Sequence, residues 1–242
     1  DRRDLNRSFP GSPNGSLAAR LAHLLTEEIL SKATHIIDLH AGSLHRSNLP
    51  QIRTNIDNPE NDQLAKAFNA PVILHAALRD GSMRQYASEQ EIPLIVFEGG
   101  ESMRFDELSI KSGVKGVLNV MHKLAMLPPV NSNKKQIDST IARSSYWVRA
   151  PISGILRPLK CLGRKIKKGE LLAKIGNPTT TEEYDLVSPL SGIIIGKSNM
   201  PMAHEGAALF HIACFKELNI VAENIEYLQE SFDETPDFFS QL

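Results

Sequence analysis

His35-Ile36-Ile37-Asp38-Leu39-His40-Ala41-Gly42 is an apolar run that ends on an imidazole followed by two small residues. Two later runs repeat the design: Pro71-Val72-Ile73-Leu74-His75, and Pro93-Leu94-Ile95-Val96-Phe97-Glu98-Gly99-Gly100. Short β-branched segments of this kind read as strands, and between them lie stretches with helical periodicity. Ser16 can cap a helix carrying Leu17, Leu21, Leu24, Leu25 and Ile29 at spacings suited to packing on a sheet. Asp106 can cap another, carrying Leu108, Val114, Val117, Leu118, Met121 and Leu124 as its core stripe, with Pro128-Pro129 as the stop. Alternation of this type predicts an α/β layered domain with a largely parallel or mixed sheet over residues 1–128. Ligands of open α/β sheets bind beyond the carboxyl ends of strands, so His40, His75 and Glu98 are expected to converge on one crevice.

The composition changes after residue 128. The stretch 129–145 is polar and aperiodic at Val130 to Gln136 and reads as a linker. Residues 146–215 are β-branched, Gly-punctuated and duplicated. Ala150-Pro151-Ile152-Ser153-Gly154-Ile155-Leu156 is echoed by Ser188-Pro189-Leu190-Ser191-Gly192-Ile193-Ile194, and Gly169-Glu170-Leu171-Leu172-Ala173-Lys174-Ile175 by Gly206-Ala207-Ala208-Leu209-Phe210-His211-Ile212. This pattern resembles the barrel-sandwich fold of lipoyl and biotinyl carriers. The hairpin that would present a modifiable lysine reads Asn177-Pro178-Thr179-Thr180-Thr181-Glu182-Glu183-Tyr184, without a lysine. A carrier role therefore does not follow. Residues 216–242 form an acidic tail with Ile220, Ile225 and Leu228 spaced loosely like a helix.

With 41% hydrophobic and 23% charged residues, the 242-residue chain has the balance of a folded protein. A net charge of −1 gives no broad positive field for nucleic acid or an anionic membrane. Two cysteines without C-x-x-C spacing suggest neither a disulfide framework nor a thiolate zinc site, which fits a reducing cytoplasm. No apolar run approaches the ~20 residues that span a bilayer. The expected location is cytoplasmic. Because the chain starts at Asp1 within a charged stretch, an N-terminally incomplete protein is expected.

Several residues can carry chemistry. In Asp4-Leu5-Asn6-Arg7, an amide and a guanidinium stand side by side, a pair able to hold a carboxylate. Taken alone, such a tetrapeptide is more often a surface loop. His40 at a strand end is held rigidly enough to ligate a metal, and Asp38 shares its face for an outer-shell or substrate contact. A lone strand-end histidine is nevertheless more often structural. Glu98 beside two glycines can act as a general base or cap a neighbouring helix. Arg84 can add a second positive group near it. His45 and His75 are weaker candidates.

The order of the Asp-Leu-Asn-Arg loop, the strand ending Asp-Leu-His and the strand ending Glu-Gly resembles the succinylglutamate desuccinylase and aspartoacylase family, relatives of the zinc carboxypeptidases. The resemblance covers roughly residues 4–128. It implies a three-layer zinc-carboxypeptidase-like domain with a mixed sheet, followed by a small all-β barrel-sandwich domain. It further implies that His40 binds zinc, that Glu98 is the general base, and that Asn6 and Arg7 hold the substrate carboxylate; Arg84 and Asp38 stand beside them as further substrate-binding candidates. The implied reaction is zinc-dependent hydrolysis of the amide of a small N-acyl amino acid, in which Glu98 takes a proton from water and returns it to the leaving amine. The family's remaining zinc ligands lie in a His-x-x-Glu segment upstream of the Asn-Arg loop, and this chain contains no His-x-x-Glu. A carboxypeptidase acting on peptides and a metal-free carboxylate-binding relative remain as alternatives. A homo-oligomer is compatible with any of these readings.

Overall fold

The computed structural model describes residues 2–129 and 138–233. The run quoted first becomes β1 (Ile36–Gly42), and the other two become β3 (Val72–His75) and β4 (Leu94–Glu101). A strand that the sequence did not announce, β2 (Arg46–Thr54), lies between them. Its sequence, Arg-Ser-Asn-Leu-Pro-Gln-Ile-Arg-Thr, is polar at its start and interrupted by Pro50. Proline cannot donate to a strand ladder, so it is tolerated at irregularities. Pro50 indeed falls where the antiparallel register of β2 with β4 shifts, between Asn48 and Gln51.

The sheet is mixed. β1 runs parallel to β4, β2 antiparallel to β4, and β2 parallel to β3. Helix α1 (Leu17–Glu28) precedes β1, α2 (Pro59–Phe68) connects β2 to β3, α3 (Met83–Glu89) connects β3 to β4, and α4 (Glu107–Lys123) follows β4. Ser16 caps α1 by accepting from the Ala19 amide, and Asp106 caps α4 by accepting from that of Ser109. The faces these helices bury differ from the expected stripes. On α1, Leu17, Leu21, Leu24 and Ile29 are exposed, while Ala18, Ala22 and Thr26 are buried. On α4 the buried positions are Ser109, Ser112, Gly113, Gly116 and Val120, and the expected stripe is only partly covered. Small residues win here because they let α4 approach the rings of Phe68 and Phe97, which stack at 5.2 Å. Helix α4 ends at Lys123, before the two prolines are reached.

The stretch read as a linker contains β5 (Thr140–Ala142), which pairs parallel with β3, and the first residues of β6 (Ser144–Arg149). Residues 130–137, on which most of that reading rested, lie outside the described residues. Beyond them come β7 (Gly154–Pro158), β8 (Lys165–Ile166), β9 (Leu171–Gly176), β10 (Glu183–Val187), β11 (Gly192–Ser198), β12 (Met202–Ala203) and β13 (Ala208–Cys214). The duplication maps onto two equivalent antiparallel pairs, β7 with β9 and β11 with β13. They belong to facing sheets, whose inward residues, among them Leu156, Leu172, Ile175, Ile194, Phe210 and Ile212, share one core.

The β-rich half is joined to the α/β half through its sheet. β11 pairs antiparallel with β2, giving the strand order β1-β4-β2-β11-β13-β6. Helix α5 (Leu218–Asp233), from the stretch read as a tail, covers this junction by burying Val221 and Ile225 against Leu49, Leu74 and Ile195. Among the described residues no helix is long and apolar enough to cross a membrane.

Candidate active site

Parallel pairing of β1 with β4 brings His40 opposite Glu98. Directly paired residues of adjacent strands project from the same face of a sheet. The imidazole and the carboxyl therefore line one cleft of about 840 Å³, along with Asn6, Arg7 and Arg84. His75 is also in its wall. The crevice expected from the strand ends is present.

Each carboxylate in this region has defined partners. His40 Nε2 lies 2.8 Å from Asp38 Oδ2. Two-residue spacing on one strand places the two side chains together, as alternation requires. The hydrogen bond to Asp38 raises the imidazole pKa, and the Asp38 and Glu98 charges act in the same direction, against partial burial. Asp38 thus orients His40 and favours its protonated form. Glu98 is 9% exposed. Its Oε2 accepts from Asn48 Nδ2 at 2.9 Å, and its Oε1 lies 3.6 Å from Arg53 Nη1. A buried carboxylate held by one hydrogen bond and one ion pair keeps a lone pair available to the cleft.

The loop bearing Asn6 and Arg7 is fixed from both sides. Asp4 caps its single helical turn by accepting from the Asn6 amide, and the Phe9 amide donates to Gly81 O at 2.9 Å. Asn6 Oδ1 accepts from the Met83 amide at 2.8 Å, at the start of α3. That bond commits the amide oxygen and leaves the Nδ2 donors for an acceptor. Arg7 Nη1 donates to the Asn6 carbonyl.

Arg84 is differently employed. Its Nη1 and Nη2 donate to the carbonyls of Ala76 and Ala77 at 3.0 and 2.8 Å. Burial, followed by repulsion from Arg53 and Arg79, lowers its pKa to about 10, so it stays charged at neutral pH. Arg84 therefore braces the segment after β3 and adds positive charge to the cleft wall. His45 points elsewhere: its Nδ1 lies 3.7 Å from Glu101 Oε1. Among the described residues no group of three His, Cys, Asp or Glu side chains is placed to hold a metal ion. His40 offers one nitrogen ligand, and the residues of this stretch do not complete a zinc site.

The sequence matches the family model of the succinylglutamate desuccinylase/aspartoacylase catalytic domain over residues 1–124 of 242. The chain belongs to this family. It is 25% identical over 187 residues to the N-alpha-acetyl-L-2,4-diaminobutyric acid deacetylase of Halomonas elongata, a match covering 73% of this chain and 54% of the relative. The chain thus spans about half the length of that curated relative. Among solved structures, the succinylglutamate desuccinylase/aspartoacylase from Rhodobacter sphaeroides superposes with a TM-score of 0.80 at 22% identity, covering 90% of this chain and 69% of that one. The product-bound ectoine utilization protein EutE (DoeB) from Ruegeria pomeroyi gives 0.79 at 22% identity, covering 88% and 68%. These likenesses show the shared fold.

Within this desuccinylase/aspartoacylase fold, the cleft contains residues that sequence reasoning passed over. Asn48 and Arg53 hold Glu98, and both lie on β2, the strand hidden by Pro50. The charge of Arg53 also opposes protonation of His40 and His211 and lowers the pKa of Arg84. The far wall comes from the β-rich half. His211 and Trp147 stack with ring centroids 4.4 Å apart and planes 9° from parallel, and the Arg46 guanidinium lies 5.4 Å from the indole centroid. Pairing connects this wall to Glu98, since Asn48 pairs with Gly196, Gly196 with His211, and His211 with Trp147. A Cβ at Gly196 would meet Asn48 Oδ1 at 3.1 Å and His211 Cβ at 3.2 Å, so the missing side chain lets these two lining residues sit side by side. The only signal available in the sequence was a solitary tryptophan in a β-rich segment.

Proposed function

We propose that the protein is a zinc-dependent deacylase that hydrolyses the amide bond of an N-acyl amino acid. What supports this reading most directly is the pairing of His40 with Glu98 on one face of the cleft, within a chain of the desuccinylase/aspartoacylase family. In this proposal Glu98 removes a proton from the attacking water and delivers it to the leaving amine. Asn48 and Arg53 hold its carboxyl in place for both transfers. Asn6 Nδ2 and Arg7 receive the carboxylate of the amino-acid moiety, the kind of anchoring that converts binding energy into orientation. Asp38 aims the His40 ring. Zinc belongs to the proposal, with His40 as one of its ligands.

Glu98→Gln tests the base. It should retain the fold and lose activity by about 100-fold or more, the usual contribution of a positioned general base. Wild-type turnover in this variant would end the assignment. Zinc analysis of wild type and His40→Ala tests the ligand, and unchanged zinc content would remove His40 from that role. Comparing N-acyl amino acids with short peptides separates a deacylase from a carboxypeptidase.

A further inference from the structure

Helix α1 is apolar on two sides, and the sheet takes only one of them. Ala22 and Leu25 hold the helix against Ile36, Leu94 and Val96. On the other side Leu17, Leu21 and Leu24 are 55%, 44% and 56% exposed. Spacings of four and then three residues set these leucines in one line, which is the arrangement of a coiled-coil seam. A single exposed leucine is ordinary, but an aligned row of three marks a place where another surface sits. A groove of about 550 Å³ runs along the row and is edged by Pro13, Arg20 and Glu27. The next position of the series, Glu28, is engaged by Lys32 at 3.0 Å and ends the apolar stripe.

A seam of this kind buries its leucines when a second helix lies along it, and the bordering charges select that helix. Arg20 and Glu27 are both exposed, and neither side chain has an ion-pair partner among the described residues. They lie seven residues apart, too far to meet on one helix. When two copies of α1 run in opposite directions, Leu21 of one meets Leu24 of the other. Arg20, one residue before Leu21, then lies beside Glu27, three residues after Leu24, of the second copy. Two-fold symmetry makes this pair twice. Two helices running in the same direction would set Arg20 beside Leu25 instead and leave both charges unanswered.

We propose that α1 is a docking surface for a second copy of this chain, with the two helices antiparallel across a two-fold axis and Leu21 and Leu24 at its centre. No residue of α1 lines the cleft of His40 and Glu98, so the inference is independent of the reaction. Three leucines per copy make a smaller core than the ~800 Å² per partner of a standard interface, so monomer and dimer should exchange at micromolar concentrations.

Sedimentation velocity of the purified protein across about 1 to 500 µM should show the monomer giving way to the dimer as concentration rises. Leu21→Glu should leave the circular dichroism unchanged and remove the dimer. Arg20→Glu should weaken association about tenfold, because two symmetric attractions become repulsions. Adding Glu27→Arg to that variant restores opposite signs and should recover the wild-type dimer. A monomer at every concentration overturns the proposal, and if Leu21→Glu then lowers stability, the row is covered within the chain. A dimer indifferent to Leu21→Glu forms through another surface and overturns it as well. Failure of the double variant to recover association overturns the antiparallel pairing.

Discussion

Acidification should unfold this protein partly through one imidazole, that of His211. The side chain is 3% exposed, lies flat on Trp147 and is bonded to Ser145 Oγ. Burial, and secondarily the charge of Arg53, lowers its pKa to about 3 from the ordinary imidazole value of 6.5. Between these values the unfolded chain binds a proton that the folded chain refuses. Stability from this group is therefore complete above pH 6.5 and is lost as pH falls toward 3. One proton of difference gives a slope of about 1.4 kcal/mol per pH unit, so going from pH 7 to pH 4 should cost about 3 kcal/mol. Urea unfolding followed by Trp147 fluorescence at intervals across that range measures the slope. Carboxylates add their own acid dependence, and His211→Phe isolates the imidazole by keeping an aromatic plate beneath the indole. The variant should be less stable at pH 7 by about 1 kcal/mol, from the lost bond to Ser145, yet shallower in its pH dependence by one proton. Identical slopes in the two proteins, or a His211 NMR titration midpoint near 6.5, would refute the argument.

Other consequences follow from particular contacts. A Cβ at Gly116 would lie 2.1 Å from a carbon of the Phe68 ring, so Gly116→Ala should destabilise by about 1–3 kcal/mol despite the better helix former; urea midpoints decide it, and unchanged stability would mean that α4 sits farther from the sheet. Asp38→Asn removes the main cause of the raised His40 pKa, and NMR of the metal-free protein should find this imidazole titrating lower than in wild type. An unaltered midpoint would show that the two side chains are not bonded in solution. Arg7→Ala should raise KM for N-acyl amino acids by about tenfold or more, through loss of a charge-assisted contact; unchanged kinetics would remove the clamp.

The three apolar runs ending in His40, His75 and Glu98 made the strands and their common crevice legible, because buried strands carry their burial in composition. Ser16 and Asp106 were readable as caps, since capping is a local contact. The Asn-Arg loop and the two strand-end motifs pointed to the family before any fold was known. The duplicated β segments likewise announced paired strands through spacing alone.

Tertiary structure decided what local pattern cannot carry. The helix faces came out differently from the leucine stripes, because α4 packs through serine and glycine to reach two phenylalanine rings and α1 leaves most of its leucines exposed. β2 escaped notice because Pro50 and its polar neighbours mask a strand that only cross-strand pairing stabilises. Its side chains Arg46, Asn48 and Arg53 set the electrostatics of the cleft. The joining of β2 to β11, which carries Trp147 and His211 into the same cleft, depends on contacts between residues some 150 positions apart, such as Asn48 with Gly196. Sequence periodicity reports which residues prefer to be buried; the register between distant strands, set by the packing of the whole, fixes which of them meet.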